Sequence, residues 1–321
     1  MSNKNKQLLK YILTRLVYSF FTVLVLIVIT FIMMHAIPGD PISGDKAVSE
    51  SVRAALEAKY GLDKPLIEQL FIYVGNALRG DFGASIKYGR DVSTILGGAF
   101  MYSAELGLRA MVLAVFGGVA IGSLSAVHRG SKIDTFGMGL AVFGVSVPNF
   151  IIAALLQFFI ALQFNKLTGS VIFPITGWTN EMSKILPSLA LCFSPLASIS
   201  RLMRTSMLDV LSSDYIKTAK AKGLSDKMII WRHALRNACM PVLTVLGPTI
   251  ASVLTGSFVV ENVFSIPGMG RYFVMCVKEQ DYTMIAGTTI FYGIFLIVAI
   301  LIVDILYGVV DPRVNVAGKK E

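Results

Sequence analysis

The chain has 321 residues and a formal net charge of +9, with 55% hydrophobic and only 15% charged residues. Soluble domains carry about 25% charged residues, so this composition excludes a disordered chain, a collagen-like repeat and a secreted disulfide scaffold, and it argues against a cytosolic enzyme. The sequence predicts an all-α polytopic membrane protein whose apolar helices cross the bilayer.

Six apolar segments are long enough to cross a bilayer core of about 30 Å. The first has no charged residue after Arg15 and is too long for a signal peptide, so we interpret it as a retained helix. Glycine and proline recur in the later segments, which a packed helix bundle tolerates. The six predicted transmembrane helices cover residues 11–35, 101–127, 134–164, 185–203, 238–260 and 284–310.

The long segment 36–100 follows the first span and is predicted to contain helices of its own. In residues 65–74, Leu66, Leu70 and Tyr73 recur at helical spacing on one face. A second short helix is predicted from residue 49 to residue 59. Two roles remain open for this segment: it caps a pore or docks a partner, or it passively covers the helix ends.

Two charged residues lie inside the second span. Glu105 and Arg109 are spaced i, i+4, so that their side chains meet on one helix face. Charged residues within a span are candidates for function. We predict an in-membrane ion pair near the outer end of this helix, and we favour a structural role over a substrate contact.

The segment 212–236 is predicted to form a helical elbow. Ser212 and Ser213 offer N-cap oxygens to a first short helix, and Gly223 provides its C-terminal stop. Ser225 begins a second short helix that runs to residue 236. Two interpretations remain open at this point: the basic elbow docks into a groove on a soluble partner, or it lies on anionic lipid.

The distribution of Lys and Arg predicts the orientation of the chain. Seventeen of these residues fall in the N-terminal segment, the loop at 129–132, residues 201–236 and the C-terminal tail, whereas eleven fall on the opposite side. Cytoplasmic loops carry an excess of Lys and Arg. Both termini and the elbow are therefore predicted to be cytoplasmic, and the charge of +9 needs no nucleic acid to explain it.

The elbow resembles the coupling loop, often called the EAA loop, of permeases of ABC importers. Lys217 and Thr218 depart from the Glu and first Ala of the general pattern, whereas Ala219 and Gly223 match it. The peptide/nickel branch is the most similar, and residues 83–88 look most like the first membrane subunit of oligopeptide permeases. The resemblance is carried by residues 214–225 and 233–238 of the elbow, and by residues 38–41, 80–83, 264–271 and 307–313 elsewhere.

The resemblance implies a type I ABC importer permease in a bacterial cell membrane, forming half of a pore for oligopeptides. It implies as partners a second homologous permease, two cytoplasmic ATPase subunits and an extracytoplasmic peptide-binding protein. ATP and Mg would be bound by the ATPase subunits, and this chain would hold no cofactor. It also divides the chain into a first helix and outer loop at 1–97, a transmembrane domain at 98–308 and a cytoplasmic tail at 309–321.

The same resemblance assigns coupling to the ATPase subunits to the elbow. We expect Tyr215, Ile216 and Ala219 to provide most of the docking energy, because burial of apolar surface contributes about 25 cal/mol per Å². The residues implied in coupling are Asp214, Tyr215, Ile216, Ala219, Lys220, Gly223 and Leu224.

No catalytic or metal site is predicted in this chain. It contains no GxxxxGK[ST] loop for nucleotide phosphates, and His35, His128 and His233 lie on different segments. Two alternatives are kept: the same fold importing dipeptides or chelated nickel, and, from another class, a secondary transporter, which often shows inverted repeats.

Overall fold

The computed structural model describes residues 3–36, 64–85, 87–279 and 281–310, and this part of the chain is almost entirely helical. Its only β pairing in these ranges is an isolated bridge between Ala84 and Asp91. The predicted helix at 49–59 lies outside the described residues. In chain order the helices are α1 Asn3–Ala36, α2 Leu66–Leu78, α3 Val92–Val127, α4 Lys132–Ser146, α5 Asn149–Thr168, α6 Glu181–Ser212, α7 Asp214–Ala221, α8 at residues 226–263, α9 Met269–Lys278 and α10 Tyr282–Val310.

The predicted all-α membrane fold is confirmed. Within the described residues, five helical segments have the length and apolar character of a membrane span: Tyr11–Ala36, Val92–Val127, Asn149–Thr168, Glu181–Ser212 and Tyr282–Ile302. The predicted span 238–260 is helical within α8 but is not one of these five. Side chains 251–252 and 254–256 of that helix lie outside the described residues. The count of six is thus approximate.

The predicted span 134–164 is wrong as a single helix, because the chain breaks between α4 and α5. Val147 adopts an extended conformation, with φ −96° and ψ 122°. A residue that precedes proline is sterically pushed out of the α-helical region, and Val147 precedes Pro148. The carbonyl of Pro148 then accepts the first hydrogen bond of α5 from the amide of Ile151, at 2.9 Å. Residues 134–164 therefore form two helices.

Contacts divide the chain into two compact units, the first comprising Met1–Tyr102 and Gly268–Glu321. In this unit Ile27 of α1, Ala77 of α2 and Ile290 of α10 share one apolar cluster. The ring of Phe31 in α1 lies 5.5 Å from that of Tyr73 in α2. The helix predicted at 65–74 is thus confirmed, and its inner face packs on α1.

A buried carboxylate fastens the loop before α3 to the start of α10, also within the first unit. Asp281 is 1% exposed and accepts hydrogen bonds from the hydroxyl of Ser85 and the amides of Lys87 and Met284. The bond to Met284 satisfies an otherwise unpaired donor in the first turn of α10. One side chain therefore both caps a helix and holds the loop.

The second unit comprises Ser103–Pro267 and has α6 at its centre. Helices α4, α5 and α8 all pack on α6. Glycines allow close approach: a Cβ on Gly122 of α3 would lie 2.4 Å from the carbonyl oxygen of Ser200, and one on Gly144 of α4 would lie 2.8 Å from that of Phe193. Small residues thus bring α3 and α4 almost into backbone contact with α6, as expected for membrane helices.

Candidate functional site

The elbow starts where α6 ends, and Ser213 makes the break. Its backbone is extended, with φ −71° and ψ 154°, and it is both the C-cap of α6 and the N-cap of α7. Its hydroxyl donates to the carbonyl oxygen of Val210 at 2.6 Å, which satisfies one of the free acceptors at the end of α6. The predicted break is thus confirmed, but the serine side chain closes α6 rather than accepting a bond from α7.

Helix α7 is amphipathic, and its apolar side faces the chain's own core. Ile216 is fully buried and Ala219 is 8% exposed, both within the main apolar cluster of the second unit. The expectation that these two side chains present themselves to a partner is therefore corrected. Residues spaced i, i+3 share a face, and in α7 this face anchors the helix to α6 and α8. Tyr215, at 45% exposed, remains available on the outer side.

Gly223 ends α7 in the left-handed conformation, with φ +76°, as predicted. Its amide donates to the carbonyl of Lys220 at 2.9 Å, and the amide of Leu224 donates to that of Ala219 at 3.3 Å. These bonds satisfy carbonyls at the helix end in the manner of a Schellman motif. A Cβ at Gly223 would meet no atom within 4 Å. The cost of a side chain here is therefore one of backbone conformation, not of space.

The second arm of the elbow is the beginning of a long helix, which corrects the prediction of a short one ending at 236. Ser225 accepts a hydrogen bond from the amide of Met228 and starts the helix at Asp226. A π-helical stretch, Ile229–Ala234, then continues directly into Leu235–Val263. The side-chain amide of Asn237 donates to the hydroxyl of Tyr215 at 2.9 Å. The two arms are thereby held together.

The outer surface of the elbow is basic with three exposed apolar residues. Lys217 pairs with Asp214 at 2.8 Å, and Lys220 is exposed as well. Tyr215, Met228 and Trp231 are 45%, 44% and 71% exposed. Sequence reasoning missed the exposure of Met228 and Trp231, because an apolar residue in a periodic pattern is by default assigned to the core.

The predicted pair of Glu105 and Arg109 is confirmed and belongs to a larger cluster within the second unit. The carboxylate of Glu105 lies 2.8 Å from the guanidinium of Arg109 and 2.9 Å from the ammonium of Lys184. Arg109 and Lys184 also pair with Glu181, at 2.8 and 2.9 Å. The indole of Trp178 donates to Glu105 at 3.0 Å. This closed ring joins α3 to the start of α6, so the structure favours the structural role.

A second ion pair, which the sequence did not reveal, joins α4 to α6. Arg204 donates two hydrogen bonds to the carboxylate of Asp134, at 2.6 and 2.7 Å. The amide of Gly130 donates a third at 2.9 Å. Asp134 is 5% exposed, and Arg204 lies two turns before the elbow. The pair fixes α4 against the part of α6 that leads into α7.

In the part of the chain that the structure describes, no group of three His, Cys, Asp or Glu residues could hold a metal ion. The described cysteines are Cys192, Cys239 and Cys276, and all three are free thiols.

Residues 118–316 match the family described as binding-protein-dependent transport system inner membrane component. Residues 8–106 match the N-terminal family of the same transport systems. The chain is similar to the dipeptide transport system permease protein DppB of Bacillus subtilis, with 46% identity over 97% of this chain and 99% of that protein. It is 40% identical to the oligopeptide transport system permease protein OppB of Escherichia coli K12, over 96% of this chain and all of that protein.

Among solved structures, the chain is similar in fold to the MetNI methionine ABC transporter in an inward-facing conformation. The TM-score is 0.52, at 15% identity, and the match covers 70% of this chain and 97% of that chain. At this level of identity the likeness concerns the fold alone.

Proposed function

The chain belongs to the inner-membrane components of binding-protein-dependent transport systems, and we propose that it is an ABC importer permease forming half of the pore for oligopeptide uptake. The observation that carries the proposal is the similarity to peptide permeases at 40–46% identity over almost the whole chain. The family is a transporter component, and we propose that ATP, with its Mg, is bound and hydrolysed by separate ATPase subunits. A second permease subunit and an extracytoplasmic binding protein complete the proposed assembly.

We propose that α7 and the turn at Gly223 couple the pore to the ATPase subunits. Helix α7 follows directly after α6, and its inner side is anchored by Ile216 and Ala219. Because its inner side is packed in the core, α7 would move together with the helix bundle when an ATPase subunit displaces it. The surface left for docking contains Tyr215 and the lysines of α7, and exposed ion pairs contribute only about 0–1 kcal/mol each. Tyr215 is therefore the proposed main contact.

The proposed orientation places both termini and the elbow in the cytoplasm of a bacterial cell. It is supported by the excess of Lys and Arg on that side of the helices. In this orientation the ion ring around Glu105 faces outward, and the pair of Asp134 and Arg204 lies near the cytoplasmic ends of α4 and α6.

Dipeptide import is the second candidate. Of the relatives named above, the one at 46% identity is a dipeptide permease, and the oligopeptide permease is 40% identical. The two cargoes can be separated by reconstituting the chain with its second permease, ATPases and binding protein in proteoliposomes. Oligopeptide import predicts that a longer peptide competes with labelled substrate at least as well as a dipeptide. Competition by dipeptides alone would support the second candidate.

The same proteoliposomes test the class of the transporter. We expect uptake to require ATP, and we expect the isolated chain to hydrolyse none. Changing Tyr215 to Asp should release the ATPase subunits from detergent-solubilised complex, whereas the matched change of Lys220 to Gln should weaken association mainly at low salt. Uptake without ATP would refute the proposed ATP-driven transport. Retention of the ATPase subunits by the Tyr215→Asp variant would refute Tyr215 as the main docking contact.

A further inference from the structure

The first turns of α8 expose an aromatic and two cationic side chains, next to Asn237, which bonds to Tyr215 of α7. Trp231 is 71% exposed, and Arg232 and Arg236 are exposed beside it. Met240 and Leu243, which are 38% and 40% exposed, follow Arg236 at spacings of i+4 and i+7 and so lie on the same side of the helix. We infer that Trp231, Arg232 and Arg236 bind anionic phospholipid at the cytoplasmic surface of the membrane.

Along α8 these residues extend from within the headgroup layer to just beyond its outer edge. Arg236 lies two residues, Arg232 six residues and Trp231 seven residues before the predicted span at 238–260, which is about 3, 9 and 10.5 Å at 1.5 Å per residue. The headgroup layer is roughly 5–8 Å thick on each side of the hydrocarbon core. Trp is enriched at this level because its ring is apolar and its N–H is polar. The flexible stem of Arg lets its charge reach the phosphates.

The exposed side chains on this side of α8 also change from apolar to cationic near the cytoplasmic end of the predicted span. Met240 and Leu243 are apolar side chains on the outside of a helix within the predicted span, and such positions contact lipid. One to three turns towards the cytoplasm, the same side of the helix becomes cationic. No Asp or Glu occurs between residues 227 and 260, so this stretch of α8 has no acidic side chain to offset the charges of Arg232 and Arg236. The continuity of the cationic surface with the apolar residues of the predicted span, together with its positive charge, therefore favours anionic lipid over a protein as the ligand of this surface.

The inference rests on the proposed orientation but not on the coupling role of α7. The test compares the tryptophan fluorescence of the wild-type chain with that of Trp231→Phe. Both are placed in nanodiscs of phosphatidylcholine with or without phosphatidylglycerol, and the difference between their spectra is the emission of Trp231. We expect phosphatidylglycerol brominated near the top of its acyl chain to quench this emission more than brominated phosphatidylcholine does. Each arginine should raise the preference for anionic lipid about five-fold, which is about 1 kcal/mol.

Arg232→Gln with Arg236→Gln should abolish most of this preference, whereas the matched change to Gln of Lys220 in α7 and of Lys222 directly after it should leave it intact. A second readout needs no tryptophan: phosphatidylglycerol should raise the melting temperature of the wild type more than that of the arginine variant. Equal quenching by both lipids would overturn the inference. So would protection of Trp231 from aqueous iodide only after ATPase subunits are added, which would assign the face to a protein partner.

Discussion

Breaking the ion pair between Asp134 and Arg204 should destabilise the protein far more than breaking an exposed pair. The Asp134 side chain is 8% and the Arg204 side chain 25% exposed, and two short hydrogen bonds join them. Asp134→Leu leaves a largely buried guanidinium without its partner. Removing one member of a buried pair costs about 3–5 kcal/mol, and the partial exposure of Arg204 places our estimate near the lower end, at about 3 kcal/mol.

The double variant Asp134→Leu with Arg204→Met should recover most of this loss. Replacing a buried ion pair by apolar side chains of similar volume is often neutral or stabilising. A double-mutant cycle on the purified chain in detergent, followed by thermal unfolding, measures the difference. We expect the Asp134 variant to melt at least about 6 °C below the wild type, since 1 kcal/mol shifts the melting temperature by roughly 2–4 °C in large domains.

Lys217→Gln is the matched control for the cycle, because the Lys217 and Asp214 side chains are 71% and 95% exposed. Its effect should stay below about 0.5 kcal/mol. A loss below about 1 kcal/mol for the Asp134 variant, with no coupling to Arg204, would refute the reasoning. That result would mean that water reaches the pair and that it does not hold α4 against α6.

Three further predictions concern glycines and topology. Gly223→Val should reduce transport at unchanged abundance, because a β-branched residue resists the left-handed conformation; peptide uptake by proteoliposomes with matched protein content decides it. Gly122→Ala should lower the melting temperature, because its Cβ would lie 2.4 Å from the Ser200 carbonyl oxygen. Gly139→Ala is the control, because a Cβ there would meet no atom within 4 Å. Equal melting temperatures for the two variants would contradict this prediction. A single cysteine at Lys220 should react with an impermeant reagent only in inside-out vesicles, and labelling in intact cells would overturn the orientation.

Hydropathy and backbone chemistry predicted the features that depend on local sequence. A long apolar run with no charged residue after Arg15 determines the span Tyr11–Ala36, and Gly223 followed by Ser225 determines a turn because few other residues tolerate positive φ. Proline was ambiguous, however. The helix continues through Pro187 and Pro195 in α6 but breaks at Pro148. Membrane helices accommodate proline when neighbouring helices satisfy the freed groups, which a single sequence does not reveal.

Features that depend on tertiary packing were not accessible from the sequence. Asp134 and Arg204 are 70 positions apart, so no local spacing links them. We expected Ile216 to contact a partner, but an apolar face of period 3.6 looks the same in the sequence whether it meets a partner or the chain's own core. In the structure, Ile216 packs in the chain's own apolar core.

Because α8 is helical without a break from residue 226 to residue 263, the elbow's second arm and the predicted span 238–260 belong to one helix, about 55 Å long at 1.5 Å per residue. A tilt of about 10° around its midpoint would move each end by roughly 5 Å in opposite directions. At the far end, the side-chain amide of Gln157 in α5 donates to the carbonyl of Val263 at 3.3 Å. A small rocking motion at the elbow end of α8 would thus be delivered, reversed in direction, to α5 at the opposite end of this helix.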